Sequence, residues 1–126
     1  INSDSPEVRA AIVGAIAKIA EQEEEAKAFD LIVQALHDPA SNVRSEAAAV
    51  LGNLVYQPAV PQLIELLQHQ EGETRKSAAL ALMKIGDRPA IEPIKAVLAR
   101  EPEENVKRAM ALAVSQLEKQ LEADDW

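Results

Sequence analysis

The sequence predicts an all-α fold: one domain, a right-handed α-solenoid (an alpha-alpha superhelix) of stacked helix pairs. Three observations carry this. The 126 residues are 48% apolar, yet that share includes 23 alanines and only three rings, Phe29, Tyr56 and Trp126. Such a composition suits closely stacked helices and leaves a sheet-based core without its usual β-branched and aromatic mass. One amphipathic helical pattern recurs four times along the chain, and a second motif returns every 31 residues between its copies. Repetition at a fixed period of this length marks a solenoid.

The recurring pattern is anchored on a cation: Arg9, Arg44, Arg75 and Lys107. Val8, Val43, Thr74 and Val106 precede the anchors. Three residues on stand Ile12, Ala47, Ala78 and Met110, and four on stand Val13, Ala48, Ala79 and Ala111. Seven on come Ile16, Leu51, Leu82 and Val114, and ten on come Ile19, Leu54, Ile85 and Leu117. Offsets of 0, 3, 4, 7 and 10 trace one face of a helix. The alanines at 47, 48, 78, 79, 111 and 113 are therefore expected at helix–helix contacts, with Leu51, Leu82, Ile85 and Leu117 in the core.

The second motif defines the partner helices. Ala28-Phe29, Ala59-Val60 and Ala90-Ile91 are spaced by 31 residues, as are Leu36, Leu67 and Leu98. Pro58, Pro61, Pro89 and Pro93 fall in opening turns, where proline costs no hydrogen bond. Gly86 follows the last periodic residue, Ile85, as a helix stop. The predicted units are a leading half repeat, 1–25, and helix pairs at 26–57, 58–88 and 89–126. The first interval between anchors is 35, the extra four residues falling in the acidic run from Glu21 to Glu25. Ile1 aligns with Leu36 and Leu67, so the chain reads as cut from a longer array. The acidic tail from Glu118 to Trp126 reads as a polar cap on the last repeat.

Asp38-Pro39-Ala40-Ser41-Asn42-Val43-Arg44, followed by Ala47 to Leu54, resembles the second-helix signature of HEAT repeats. The run Lys84-Ile85-Gly86-Asp87-Arg88-Pro89-Ala90-Ile91-Glu92-Pro93 is similar to the linker of the short HEAT-like repeats named after phycobilin lyases. The resemblance spans essentially the whole chain. It implies second helices lining a concave surface. It also implies a ladder in which each anchor pairs with an aspartate in the turn before it. Here only Asp38 is such an aspartate; Ser3, His69 and Arg100 stand at the matching places, with Glu73 or Glu103 as substitutes.

Several function classes fall away. With 13 basic against 21 acidic residues, the net charge of −8 opposes general nucleic-acid binding. There is no cysteine, hence no disulfide, thiolate site or cysteine nucleophile. No apolar run reaches the roughly 18 residues of a membrane span. His37 and His69 sit in turns and are followed by Asp38 and Gln70. The His-Glu pairs that hold di-iron in the HEAT-like deoxyhypusine hydroxylases are therefore absent from the pattern. The run Glu21-Gln22-Glu23-Glu24-Glu25 lacks a calcium loop's glycine and ligand spacing. No metal site, catalytic residue or cofactor is assigned on these residues, and the chain reads as a non-enzyme. Cytoplasmic location is the default expectation.

Charge separates the second helices from the rest. The windows 9–19, 44–54, 75–85 and 107–117 hold eight cations and one acid, a net of +7 that leaves −15 elsewhere. The offsets not used in packing are small and bland in the first two copies but end at Tyr56. In the last two they give Lys76, Leu80, Met83, Lys84, Arg108, Leu112 and Gln116. Apolar residues ringed by cations suit protein binding. The expected function is therefore a scaffold whose concave face, at these eight residues including Tyr56, meets a protein partner with an acidic surface. The alternative implied by the resemblance is an accessory subunit of an E/F-type phycobilin lyase. There, the cations would meet the propionates of a bilin. The bared apolar row Ile12, Ile16 and Ile19 further predicts self-association through the N-terminal edge or fraying of the first helix.

Overall fold

The computed structural model describes residues 4–23 and 26–124. Ile1, Ser3, Glu24, Glu25 and Trp126, to which the sequence reading assigned places, lie outside them. Every regular element among the described residues is helical. A single helix α1 (Pro6–Glu23) precedes three pairs: α2 (Ala26–Ala35) with α3 (Ser41–Asn53), α4 (Val60–Leu66) with α5 (Gly72–Ile85), and α6 (Ile91–Leu98) with α7 (Glu104–Asp124). Short 3-10 turns at Gln57–Ala59 and Arg88–Ala90 lead into α4 and α6. The second helices form one layer, in which α3 packs against both α1 and α5, and α5 against α7. Of the first helices, α4 packs on α5 and α6 on α7, while α2 packs on both α1 and α3 and more extensively on α1, so the all-α solenoid of the sequence reading is the structure found.

The packing follows the offsets. Ala47, Ala48, Ala78, Ala79 and Ala113 are buried beside Leu51, Leu82, Ile85 and Leu117. Small side chains are what let the second helices approach. A Cβ on Gly52 would lie only 3.0 Å from the Ala81 Cα of the next helix. Ala111 departs from the expectation and is exposed. Its row faces the following second helix, and among the described residues none follows α7. Part of the acidic run of the first interval, Glu21 to Glu23, is helical, and α1 runs 18 residues against 13 in α3 and 14 in α5.

Gly86 ends α5 in the left-handed region at φ 76°, its N–H returning to the Leu82 carbonyl. The position 31 residues earlier is Val55, which takes the same turn at φ 53° despite its branched Cβ. That is a strained backbone for valine. Its side chain is exposed and gains no burial in return.

The cation ladder is present, but its direction differs from the expectation. Arg44 and Arg75 donate to carbonyls of their own turn, and Arg9, Arg44 and Arg75 each donate to a side chain of the next. Arg9 makes a bidentate pair with Asp38 at 2.9 and 3.0 Å, and Asp38 also accepts the Ala40 N–H. Arg75 donates to the carbonyls of His69 and Gln70, and forms a bidentate pair with Glu101 at 2.6 and 2.8 Å. Glu101, not Arg100, is the residue six before its anchor, as Asp38 is; it likewise accepts the N–H two residues on, from Glu103. Arg75 also reaches Glu103 at 3.0 Å, so that substitution holds, whereas Glu71 rather than Glu73 serves Arg44.

The middle rung is built differently. His69 occupies the acidic position, and its Nδ1 accepts the Glu71 N–H at 3.0 Å. Arg44, only 4% exposed, donates instead to Thr74 Oγ1 and to the Asp38 carbonyl. Its Nη2 lies 3.1 Å from Glu71 Oε2 but makes no hydrogen bond of good geometry, so charge alone holds this buried nitrogen. Thr74, the one polar residue in a row otherwise of valines, is the hydroxyl that a missing carboxylate requires.

Candidate functional site

The second-helix layer carries an open groove of about 420 Å³ between α5 and α7. Its walls are Met83 and Lys84 from the end of α5, and Leu112, Gln116, Lys119 and Gln120 from α7. Every one of these residues comes from a second helix. They meet because successive helical turns of two neighbouring helices project side chains to one side. The ladder described above holds the opposite ends of these helices in register. Leu112 is 47% exposed, a large apolar side chain left at the surface.

The electrostatics of the groove are one-sided. Lys84 and Lys119 are cationic, and no carboxylate is among the lining residues. The Lys84 Nζ donates to Asn53 Oδ1 at 2.9 Å, which fixes the ammonium at the groove's edge. Two of its three N–H bonds remain for another acceptor. An anionic ligand with a flat apolar body would meet charge on the rim and Met83 and Leu112 on the wall. The volume lies within the range of about 300–1,000 Å³ typical of small-molecule sites.

Of the residues singled out from sequence, Met83, Lys84, Leu112 and Gln116 line this groove. Lys76 and Leu80 are half-buried on α5 and Arg108 is exposed on α7; none of the three is a lining residue. Tyr56 is turned elsewhere. Its ring stacks on Phe29 with centroids 4.2 Å apart and planes 8° apart, within the helix pair 26–57. Sequence reasoning left out Lys119 and Gln120. Lys119 sits twelve residues after its anchor, on the helix face that also carries Arg108, Leu112 and Gln116, so the signal was present.

The two histidines come together across neighbouring turns. His37 and His69 both line a shallow surface hollow with Glu65, Leu66 and Gln68. Among the described residues no group of three His, Asp or Glu stands where it could hold a metal ion. His69 titrates below the ordinary histidine value, chiefly because of burial and then the neighbouring Arg44 and Arg75, with Glu71 opposing. Among the described residues no helix is long and apolar enough to cross a membrane.

Comparison with known proteins bears on this architecture. The HEAT repeats family matches at residues 1–55 and 29–115. The chain belongs to the HEAT-repeat family. It is 38% identical over 120 residues to the bilin biosynthesis protein MpeU of Synechococcus sp. (strain WH8020). That match covers 94% of this HEAT-repeat chain but spans only 40% of the length of MpeU. Among solved structures, human deoxyhypusine hydroxylase in complex with glycerol superposes with a TM-score of 0.70 at 26% identity. It is matched by 94% of this chain over 47% of its own length. An engineered protein superposes at 0.64 with 25% identity, over 94% of this chain and 59% of its own.

Proposed function

We propose that this HEAT-repeat segment handles a bilin, holding one edge of the tetrapyrrole in the groove between α5 and α7. The observation that carries the reading is the groove itself: apolar walls at Met83 and Leu112, two lysines and no acid, in a chain otherwise strongly acidic. The 38% identity to a bilin biosynthesis protein supports the same ligand class. A bilin is a flat conjugated body with two propionates, so Lys84 and Lys119 are the residues to meet those carboxylates. Charge-assisted pairs of this kind are among the stronger hydrogen bonds. The groove is open, so it would hold the chromophore from one side, as a segment contributing to a larger site would. The same exposed Leu112, with Arg108 beside it on α7, supports a second reading, a scaffold face for an acidic protein partner.

The test is a titration of the chain with a free bilin, read as a shift and sharpening of the visible absorption band. The Lys84→Glu, Lys119→Glu double variant should weaken that binding at least tenfold and lower its salt dependence, because both cations are replaced by repelling charges. A bilin spectrum that does not change on adding protein, or that changes equally with the double variant, would sink the bilin reading. Capture of an acidic protein by wild type and not by the double variant would then favour the scaffold.

A further inference from the structure

Val55 is the one non-glycine among the described residues whose backbone enters the left-handed region, at φ 53°. It closes α3. Its N–H returns to the Gly52 carbonyl at 3.1 Å, and the Tyr56 N–H to that of Leu51 at 3.0 Å. Glycine makes such a stop without strain, as Gly86 does at the same place in the next repeat. Strained backbone of this kind clusters where a side chain meets a ligand. Folding does not use the Val55 side chain, which is 52% exposed.

The repeat shows which way that side chain faces. A Cβ on Gly86 would lie 2.8 Å from Gln120 Oε1 on the following second helix, and Gln120 is a wall of the groove between α5 and α7. One repeat earlier the residue matching Gln120 is Arg88, thirteen after its anchor. Arg88 instead lines a small hollow with Gly86, Leu117 and Gln120, and the place beyond Val55 is left open. Val55 therefore faces the end of α5, where Lys84 stands. Asn53, two residues before Val55, accepts the hydrogen bond from Lys84 Nζ at 2.9 Å. The strained turn and the groove thus share one tethered lysine.

We propose that Val55 is the apolar contact of a second subsite, which extends the groove from α5 across to the end of α3. It takes the part of a flat, carboxylate-bearing ligand that the groove leaves uncovered, an inference that rests on the bilin reading above. The groove lies between two helices and holds one edge of a tetrapyrrole, so rings beyond that edge must lie over a neighbouring helix. On the α3 side they meet an ammonium already oriented by Asn53 and a branched aliphatic side chain held out by its own backbone. A β-branched residue is stiff, so little rotamer freedom is lost on contact.

The experiment titrates a free bilin into the full chain and three variants, reading the visible band and the melting midpoint of each. Val55→Gly should melt about 2–4 °C higher, because the left-handed turn no longer strains a branched Cβ. It should also bind the bilin about five- to tenfold more weakly, the share of one aliphatic contact. Val55→Asn tolerates the left-handed turn without glycine's looseness and should lose the same affinity, so a loosened helix end is not the cause. Val55→Ile should bind as wild type does and melt no higher. The salt dependence of binding should be alike in all four proteins, since none of the changes alters a charge. Wild-type binding that Val55→Gly and Val55→Asn leave intact overturns the subsite while the groove reading stands. A Val55→Gly protein that melts no higher than wild type also overturns it, because no strain is then left to explain. A bilin spectrum that wild type does not change overturns the groove reading and the subsite together.

Discussion

Replacing Glu101 by glutamine tests whether the turn-to-turn ladder holds the last two helix pairs in register. The Glu101 side chain is 1% exposed and makes two charge-assisted bonds to Arg75, plus the cap on the Glu103 N–H. Glutamine keeps one acceptor oxygen, enough for the cap or for Arg75 Nε. Its amide NH₂ then faces guanidinium donors with nothing to accept. Removing one partner of a buried pair costs about 3–5 kcal/mol when the other charge is stranded. Arg75 is not stranded, because Glu103 remains 3.0 Å from its Nη2. The expected loss is therefore nearer one charge-assisted bond, about 2–3 kcal/mol at neutral pH. At roughly 4 °C per kcal/mol for a chain of this size, the melting midpoint should fall by about 8–12 °C.

The pH dependence supplies the sharper reading. Glu101 titrates below the ordinary carboxylate range, held there first by the Arg75 hydrogen bond and then by the Glu103 N–H, with burial opposing. A depressed carboxylate stabilises the fold above its unfolded pKa, near 4.3, and the contribution is lost as pH falls through the folded value. Asp38 also titrates low: burial pulls it up, but Arg9 and the Ala40 N–H outweigh burial. It titrates in both proteins, so only the difference between them isolates Glu101. Chemical denaturation at pH 7, 5, 4 and 3 should show the gap between wild type and Glu101→Gln closing as the acid protonates. A variant within about 1 °C of wild type at pH 7 would refute the reasoning. So would a gap that stays constant down to pH 3.

His69→Asp should stabilise the chain by about 1 kcal/mol at pH 7, because a carboxylate there can bond the Arg44 nitrogen now held by charge alone. The gain is read as a higher denaturation midpoint. Burial and the two arginines depress His69, so wild-type stability should also decline as pH drops below about 6.5 and the imidazole is forced to charge. That slope should be absent in the variant. Ala79→Leu, at a fully buried position, should cost on the order of 1–3 kcal/mol by overpacking. Ala111→Leu, at the same offset but exposed, should move the melting curve by less than about 0.5 kcal/mol, and equal losses for the two would mean the helix rows are misassigned.

Much of the fold is legible in the sequence because repetition makes the same statement several times over. Offsets that pack at Leu51 also pack at Leu82, and the stop at Gly86 is written in the residue type. The groove was half legible. Met83, Lys84, Leu112 and Gln116 follow from offsets left free of packing, whereas the turn of Tyr56 onto Phe29 depends on a contact 27 residues away along the chain. The ladder's acids were the least legible. Glu101 and Glu71 are ordinary surface residues by type, and only the folded turns decide which carboxylate reaches which guanidinium.

Sequence by itself determined the helical period, the anchors, the apolar rows and the sign of the charge on the second helices, because these depend on spacing within one helix. Tertiary structure alone decided which rows are covered. Ala79 and Ala111 share one offset and one side chain, yet one is buried and the other exposed. Val8 and Val43 differ in the same way. Burial belongs to the neighbour that a helix meets, and a repeat written identically along the chain meets different neighbours at its ends.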